Sequence, residues 1–372
     1  MERASILRAM RMMRLSLLLS LSTFAFGQTP TSSSVVWQMQ DSGTTASLRG
    51  IYSVDGTIAW ASDTGGTVLK TIDGGTHWQK CAIPDAATDG ATLDFRGVQA
   101  WDAQTAIVMA SGPGEKSRLF KTMDGCKTWA LLLKNEEKDG FWDGVVFQRA
   151  DYGYLSLPDD GVMIGDPLHE RFETRQGYKR DIQFIDSAGC AAKEGESAFA
   201  ASNSSFIVLG LGRYILGTGG KSGARVLIAP KLNGGVSTDP CLDVDVPIAG
   251  GNESSGVFSI AIRDLKHLII VGGDYTKPNE SKSTAARTSG DWKHWTASTT
   301  PPHGFRSAVQ WSETLKLWIT VGTNGSDISR DDGKTWQPLD NGNWNALSLP
   351  FVVGPNGRIA RLNPAALPPI AP

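Results

Sequence analysis

The sequence predicts an all-β chain, a β-propeller of seven blades whose ring is closed by its N-terminal strand. Three observations carry this. A turn motif of the form Ser/Thr-x-Asp-x-Gly/Cys-x-Thr/His-Trp recurs as KTIDGGTHW (Lys70–Trp78), KTMDGCKTW (Lys121–Trp129) and SRDDGKTW (Ser329–Trp336). A strand pattern recurs ahead of it, as LRGIYSVDG (Leu48–Gly56), FRGVQAWDA (Phe95–Ala103) and GFRSAVQWSE (Gly304–Glu313). The composition, with 42 glycines and 12 tryptophans in 372 residues, suits many short strands and tight turns.

The turn motif has a local physical reason. The Asp carboxylate accepts bonds from turn N–H groups, and Gly permits a positive φ. Asp73, Asp124 and Asp331 take the carboxylate position, and Trp78, Trp129 and Trp336 open the following strand. RTSGDWKHW (Arg287–Trp295) is a decayed copy that keeps Trp295. Repetition at blade spacing argues for a structural role, since one catalytic or metal site needs only one copy.

Four more segments fill the first-strand slot: FWDGVVFQ (Phe141–Gln148), FAASNSSF (Phe199–Phe206), VFSIAI (Val257–Ile262) and WNALSL (Trp344–Leu349). Each is followed by a second apolar strand, in the third blade VMIG (Val162–Gly165). The last blade offers only three strands. VVWQMQ (Val35–Gln40) supplies the fourth, with Trp37 matching Trp78 and Trp336, and this removes the open edges of the sheet. The 372 residues less the first 27 leave 345, about 49 per blade. Six blades is the alternative, because Phe141–Gly195 has no turn motif and carries an insertion.

The first 27 residues read as a signal peptide: Arg3, Arg8, Arg11 and Arg14, then the apolar run Leu15–Phe26, then small residues Ala25 and Gly27. That run is too short to span a bilayer. The mature chain is expected to be exported, with no further membrane span. Residues 28–34 read as a flexible leader, 35–363 as one propeller domain, and 364–372 as a proline-rich tail without a fold of its own. In an exported chain the four cysteines suggest disulfides. Cys81 with Cys126 and Cys190 with Cys241 is the expected pairing, and free buried thiols are the other reading. No zinc-ligand spacing or dinucleotide fingerprint appears, so no metal or cofactor is expected. A formal charge of −2 gives no field for a polyphosphate, which argues against nucleic acid.

Blade geometry puts candidate functional residues where first strands start and second strands end. Arg49, Arg96 and Arg306 share one aligned position, with Asp143 in the same slot of another blade. Three guanidiniums converging on a channel mouth would bind anions; the alternative is that each ties neighbouring blades together. Asp63, Asp166 and Asp274 align after second strands, with Asp327 following Asn324 in the equivalent loop, and Asn203 and Glu196 lie around the fourth first strand.

The strings GESAFAASN (Gly195–Asn203), VGGDYTKP (Val271–Pro278) and GFRSAV (Gly304–Val309), with the repeats and the leader, resemble bacterial exported propellers with neuraminidase-type repeats, or Asp boxes. These are similar to the photosystem II stability/assembly factor propellers. That resemblance implies a seven-bladed, single-chain binding or assembly protein without catalysis, which takes a protein, peptide or anionic partner. Comparison with sialidases implies the alternative, a glycoside hydrolase acting on extracellular glycans. There the three arginines would hold a substrate carboxylate, with Tyr275, Glu196 and Asp166 as partners. A carboxylate pair, Asp166 with Glu196 or with Asp274, is the more general form. The chain departs from sialidases in blade number and lacks their Phe-Arg-Ile-Pro string.

Overall fold

The computed structural model describes residues 35–369, except 139, 150–151, 157–167, 174–181, 187–191, 210–213 and 230–239. For 147–149, 152–156, 168–173, 182–186 and 289 only the backbone is described. The leader segments (1–34), Asp166 and Cys190 therefore lie outside the described residues.

Val35–Pro372 is one compact unit in which the described strands pair antiparallel in five four-stranded sheets, each a blade, and one nine-stranded sheet that comprises two four-stranded blades and the short strand Glu196–Ser197, paired with Gly219–Gly220. Blade 1 comprises Leu48–Ser53, Ala59–Asp63, Thr67–Thr71 and Gln79–Lys80. Blade 2 is Phe95–Ala100, Ala106–Ala110, Arg118–Thr122 and Ala130–Lys134. Blade 3 is Gly144–Arg149, Tyr152–Ser156, Leu168–Glu173 and Ile182–Asp186. Blade 4 is Phe206–Val208, Tyr214–Gly220, Arg225–Ile228 and Leu242–Asp245. Blade 5 is Asn252–Asp264, His267–Asp274, Ala285–Ser289 and Thr296–Ala297. Blade 6 is Ala308–Ser312, Leu317–Gly322, Gly325–Ser329 and Gln337–Asp340. Blade 7 is Ala346–Ser348, Phe351–Val353, Ile359–Leu362 and, from the chain start, Trp37–Gln40. Each first strand packs against the next, and that of blade 7 against that of blade 1, so the ring closes. Blades 4 and 5 are also hydrogen-bonded to each other through Gly219–Gly220.

The core lies between neighbouring blades. In blade 1 the second and third strands are buried on both faces, so AWASD and TVLKT read as continuous buried runs rather than alternating ones. Between blades 1 and 2, Trp60, Val68, Phe95, Val98 and Phe120 form one cluster. Towards the axis, side chains lace neighbouring blades together. Ser62 Oγ donates to Phe95 O at 2.8 Å, Asn345 Nδ2 to Leu48 O at 2.8 Å, and Val309 N to Ser259 Oγ at 3.0 Å. Gly50 is required there, because a Cβ would stand 2.2 Å from Ser62 Oγ.

Three sequence expectations are corrected. The second strand of blade 3 is Tyr152–Ser156, which pairs directly with Gly144–Arg149 and has few aliphatics; the expected Val162–Gly165 lies outside the described residues. The fourth inner strand starts at Phe206 rather than Phe199, because Asn203 takes a left-handed φ of 57° and interrupts extended backbone. The tail is not without structure. Pro364–Ala366 forms a 3-10 turn capped by Asn363, Leu367 packs against the blade 6–7 core, and Arg330 donates to Pro368 O at 2.7 Å.

Candidate functional site

First strands run away from one end of the ring and second strands return to it, so starts of first strands and ends of second strands share one mouth. A cavity of about 550 Å³ opens there, lined from all seven blades. Arg49 and Arg96 contribute from blades 1 and 2, Asp143 and Phe141 from the entry to blade 3, and Phe199 from the entry to blade 4. Phe258, Tyr275 and Phe305 face them from blades 5 and 6, and Asn345 from blade 7.

Local backbone explains which side chains reach this mouth. The pairing register shifts between Leu48 and Gly50, between Phe95 and Gly97, and between Val257 and Ser259. The residues left over are Arg49, Arg96 and Phe258, and all three line the cavity. A bulge re-aims the extra side chain, and here it does so three times. Blade 6 begins regular pairing only at Ala308, after Arg306.

The mouth has an ionic side and an aromatic side. Arg49 Nε lies 3.6 Å from Asp63 Oδ2, and the Arg49 side chain is 38% exposed. Arg96 Nη2 lies 3.8 Å from Asp94 Oδ2, its Nη1 reaches Ala200 O at 3.5 Å, and its guanidinium stands 5.9 Å from the Phe141 ring centre. These ionic contacts exceed hydrogen-bond length, which leaves guanidinium donors for a ligand. Asp63 is wholly buried behind them, and neither of its oxygens accepts a hydrogen bond. Burial pushes its carboxyl up to about 7, against the opposing pull of Arg49 and Arg96. On the other side Phe199 stacks on Phe258 at 4.0 Å, Phe305 meets Phe258 edge-on at 4.8 Å, and Tyr275 meets it edge-on at 6.1 Å.

The expected three-arginine cluster is corrected. Arg306 is fully buried and does not line the mouth. It pairs with Asp327, donates to Phe305 O at 2.6 Å and to Asn324 Oδ1, and its Nη2 lies 2.8 Å from His303 Nδ1. Asp327 is buried in the same network, so it too is removed from the ligand face. Asn203 spends its amide on blade 3, accepting from Val145 N at 2.7 Å and donating to Val145 O at 2.9 Å. Glu196 is sealed within blade 4 by Arg225, whose Nε donates at 2.9 Å, and by Lys193 N at 2.7 Å. Burial opposes ionisation of Asp274, but bonds from Thr276 and Ser254 outweigh it and hold the carboxyl at about 2. Glu196 and Asp274 are absent from the mouth lining, and Asp166, the expected partner of each, lies outside the described residues. Of the remaining candidates, Asp143 and Tyr275 reach the mouth.

The repeated turns lie between third and fourth strands, at the far end of the ring. Asp73 Oδ1 accepts from His77 N at 2.9 Å, while Thr71 Oγ1 donates to Asp73 Oδ1 and accepts from Gly75 N, both at 2.9 Å. Asp124 and Asp331 repeat this with Thr128 N at 3.0 Å and Thr335 N at 2.9 Å. The decayed copy keeps a carboxylate, Asp291, which accepts from His294 N at 3.1 Å. The tryptophans reach back to the preceding blade. Trp78 Nε1 donates to Gln40 Oε1 at 3.1 Å, Trp129 to Ala82 O at 2.9 Å, Trp336 to Ser298 Oγ at 3.1 Å and Trp37 to Ser326 Oγ at 2.9 Å. Trp295 instead donates within its own turn, to Trp292 O at 3.0 Å. Cys81 and Cys126 form a disulfide that links the outer end of blade 1 to the turn of blade 2, and Cys241 is also disulfide-bonded.

Sequence reasoning named Tyr275 but missed Phe199, Phe258 and Phe305 beside it. A signal was present: in VFSIAI, Phe258 stands in the slot that Arg49 and Arg96 fill in LRG and FRG.

No protein-family model matches the chain, and no curated protein does. Among solved structures it is similar to YCF48 from Cyanidioschyzon merolae, at 18% identity and a TM-score of 0.59 over 89% of this chain and 100% of that one. A structure of YCF48 bound to D1 peptide aligns at 14% identity and a TM-score of 0.59, over 88% of this chain and 96% of that one. The WD40 β-propeller domain of Doa1 aligns at 11% identity and a TM-score of 0.54, over 89% of this chain and 98% of that one. At these identities the likeness shows the fold, a β-propeller.

Proposed function

We propose that this chain is an exported, non-catalytic propeller that captures an extended acidic peptide segment of a partner protein at its mouth. The observation that carries the reading is the division of that mouth. Arg49 and Arg96 present guanidinium donors on one side, and Phe258, Phe305 and Tyr275 present an aromatic wall on the other. An acidic side chain takes the first and an apolar neighbour the second. A YCF48 propeller of the same fold has been seen with D1 peptide bound, which supports a peptide as the class of ligand.

The test is fluorescence anisotropy with a labelled peptide of alternating Glu and Phe, compared with its Gln/Phe counterpart. The Glu form should bind more tightly. Arg49→Ala and Arg96→Ala should each weaken it about tenfold or more, as loss of a charged hydrogen bond implies. Equal affinity for both peptides, or arginine variants that bind like wild type, would refute the reading. Export is tested separately, by whether the secreted protein begins at Gln28.

A further inference from the structure

We propose that the mouth takes its acidic ligand together with one proton, which is delivered to Asp63. This rests on the reading of the mouth as an acidic-peptide site and names how that site is regulated.

Asp63 closes the second strand of blade 1, paired with Leu48 and Thr67, and none of its surface is exposed. Neither carboxylate oxygen accepts a hydrogen bond. The charged groups that face it are Arg49 from its own blade, Arg96 from the inner strand of blade 2 and Asp94 just before that strand. Its compensation as an anion is therefore the field of two guanidiniums, and both line the ligand cavity. The nearer, Arg49 Nε, stops 3.6 Å away. Arg96 Nε is itself buried without a hydrogen-bond partner, so the two cations are shared among these acids rather than committed to one.

A ligand carboxylate arriving at Arg49 and Arg96 draws on the same field. Like charges so placed cannot both be held cheaply by one pair of cations. Removing compensation from a fully buried carboxylate costs more than protonating it near neutral pH. Asp63 already titrates at about 7 in the free site, so the proton is available at little cost. Binding raises that value further. Affinity should therefore be greatest below pH 7 and fall as pH rises above it, by up to tenfold per unit while one proton is taken up. The Glu side chains of the probe titrate near 4, well below this window.

The experiment measures the Kd of the Glu/Phe peptide from pH 6 to pH 8.5, for the full mature chain and for Asp63→Asn. Wild type should weaken at least tenfold over that range. D63N, with a neutral isostere, should stay flat and bind at pH 8.5 as tightly as wild type binds at pH 6. Carbon-detected NMR of the wild-type aspartates gives a readout that needs no variant. One carboxyl should titrate near neutrality and shift to higher pH on saturation with peptide. Tight binding with no pH slope, or with the same slope in D63N, overturns the proton linkage and leaves peptide capture standing. No binding at either pH overturns both.

Discussion

Arg49 and Arg306 both follow a bulky apolar residue at the start of an inner strand, yet the backbone sends them in opposite directions. Arg49 is the extra residue of a bulge and is followed by Gly50, which lets Ser62 approach; Arg306 precedes regular pairing and is followed by Ser307. The consequence is measurable on stability. Arg306 and Asp327 are both fully buried, so truncating the arginine strands a carboxylate with no water to turn to. Arg306→Ala should cost about 3–5 kcal/mol by urea denaturation. Arg49→Ala, at an exposed and loosely paired side chain, should cost under about 1 kcal/mol. Equal losses in the two variants would mean that the arginines share one role after all.

The repeated turn is a complete element within nine residues, and this is why it was legible. Asp73, Thr71 and His77 satisfy one another locally, and their order in the chain already specifies the bonds. The mouth was less legible because it is made by register. Nothing in LRG or VFS announces a bulge, which exists only once the second strand is paired; the burial of Asp63 depends on blade 2, and that of Glu196 on Arg225 within its own sheet. Locality also gives the turn its own pH signature. The backbone N–H and ring of His77 hold Asp73 at about 2, and the hydroxyl and N–H of Thr128 do the same for Asp124. An unfolded aspartate titrates near 3.9. The folded values are depressed, so this contribution is full above pH 4 and is lost as pH falls from about 4 to 2. Urea midpoints at pH 5 and pH 2.5 should fall further for wild type than for an Asp73→Asn/Asp124→Asn double variant. The same fall in both would assign the acid sensitivity elsewhere.

At the scale of the whole ring, stability depends on a joint between the two ends of the fold. Trp37–Gln40 pairs with Ile359–Leu362, so blade 7 is made from both. The joint also reaches sideways. Trp37 lies 6.1 Å from Trp344 within blade 7 and donates to Ser326 of blade 6. Gln40 donates to Gly74 O at 3.0 Å and accepts from Trp78, both in blade 1. One short strand thus touches three consecutive blades. A chain that begins at Asp41 loses a buried tryptophan, which alone costs about 3–5 kcal/mol, and leaves Ile359–Leu362 as an open edge. Such an edge pairs with whatever strand is offered. The truncated chain should melt at lower temperature and self-associate in proportion to its concentration on size exclusion. Adding the peptide VVWQMQ, which is Val35–Gln40, should restore the single-chain elution position by filling that edge in trans. If the truncated chain eluted and melted like the intact one, the N-terminal strand would be decoration on a ring closed by contacts between inner strands alone.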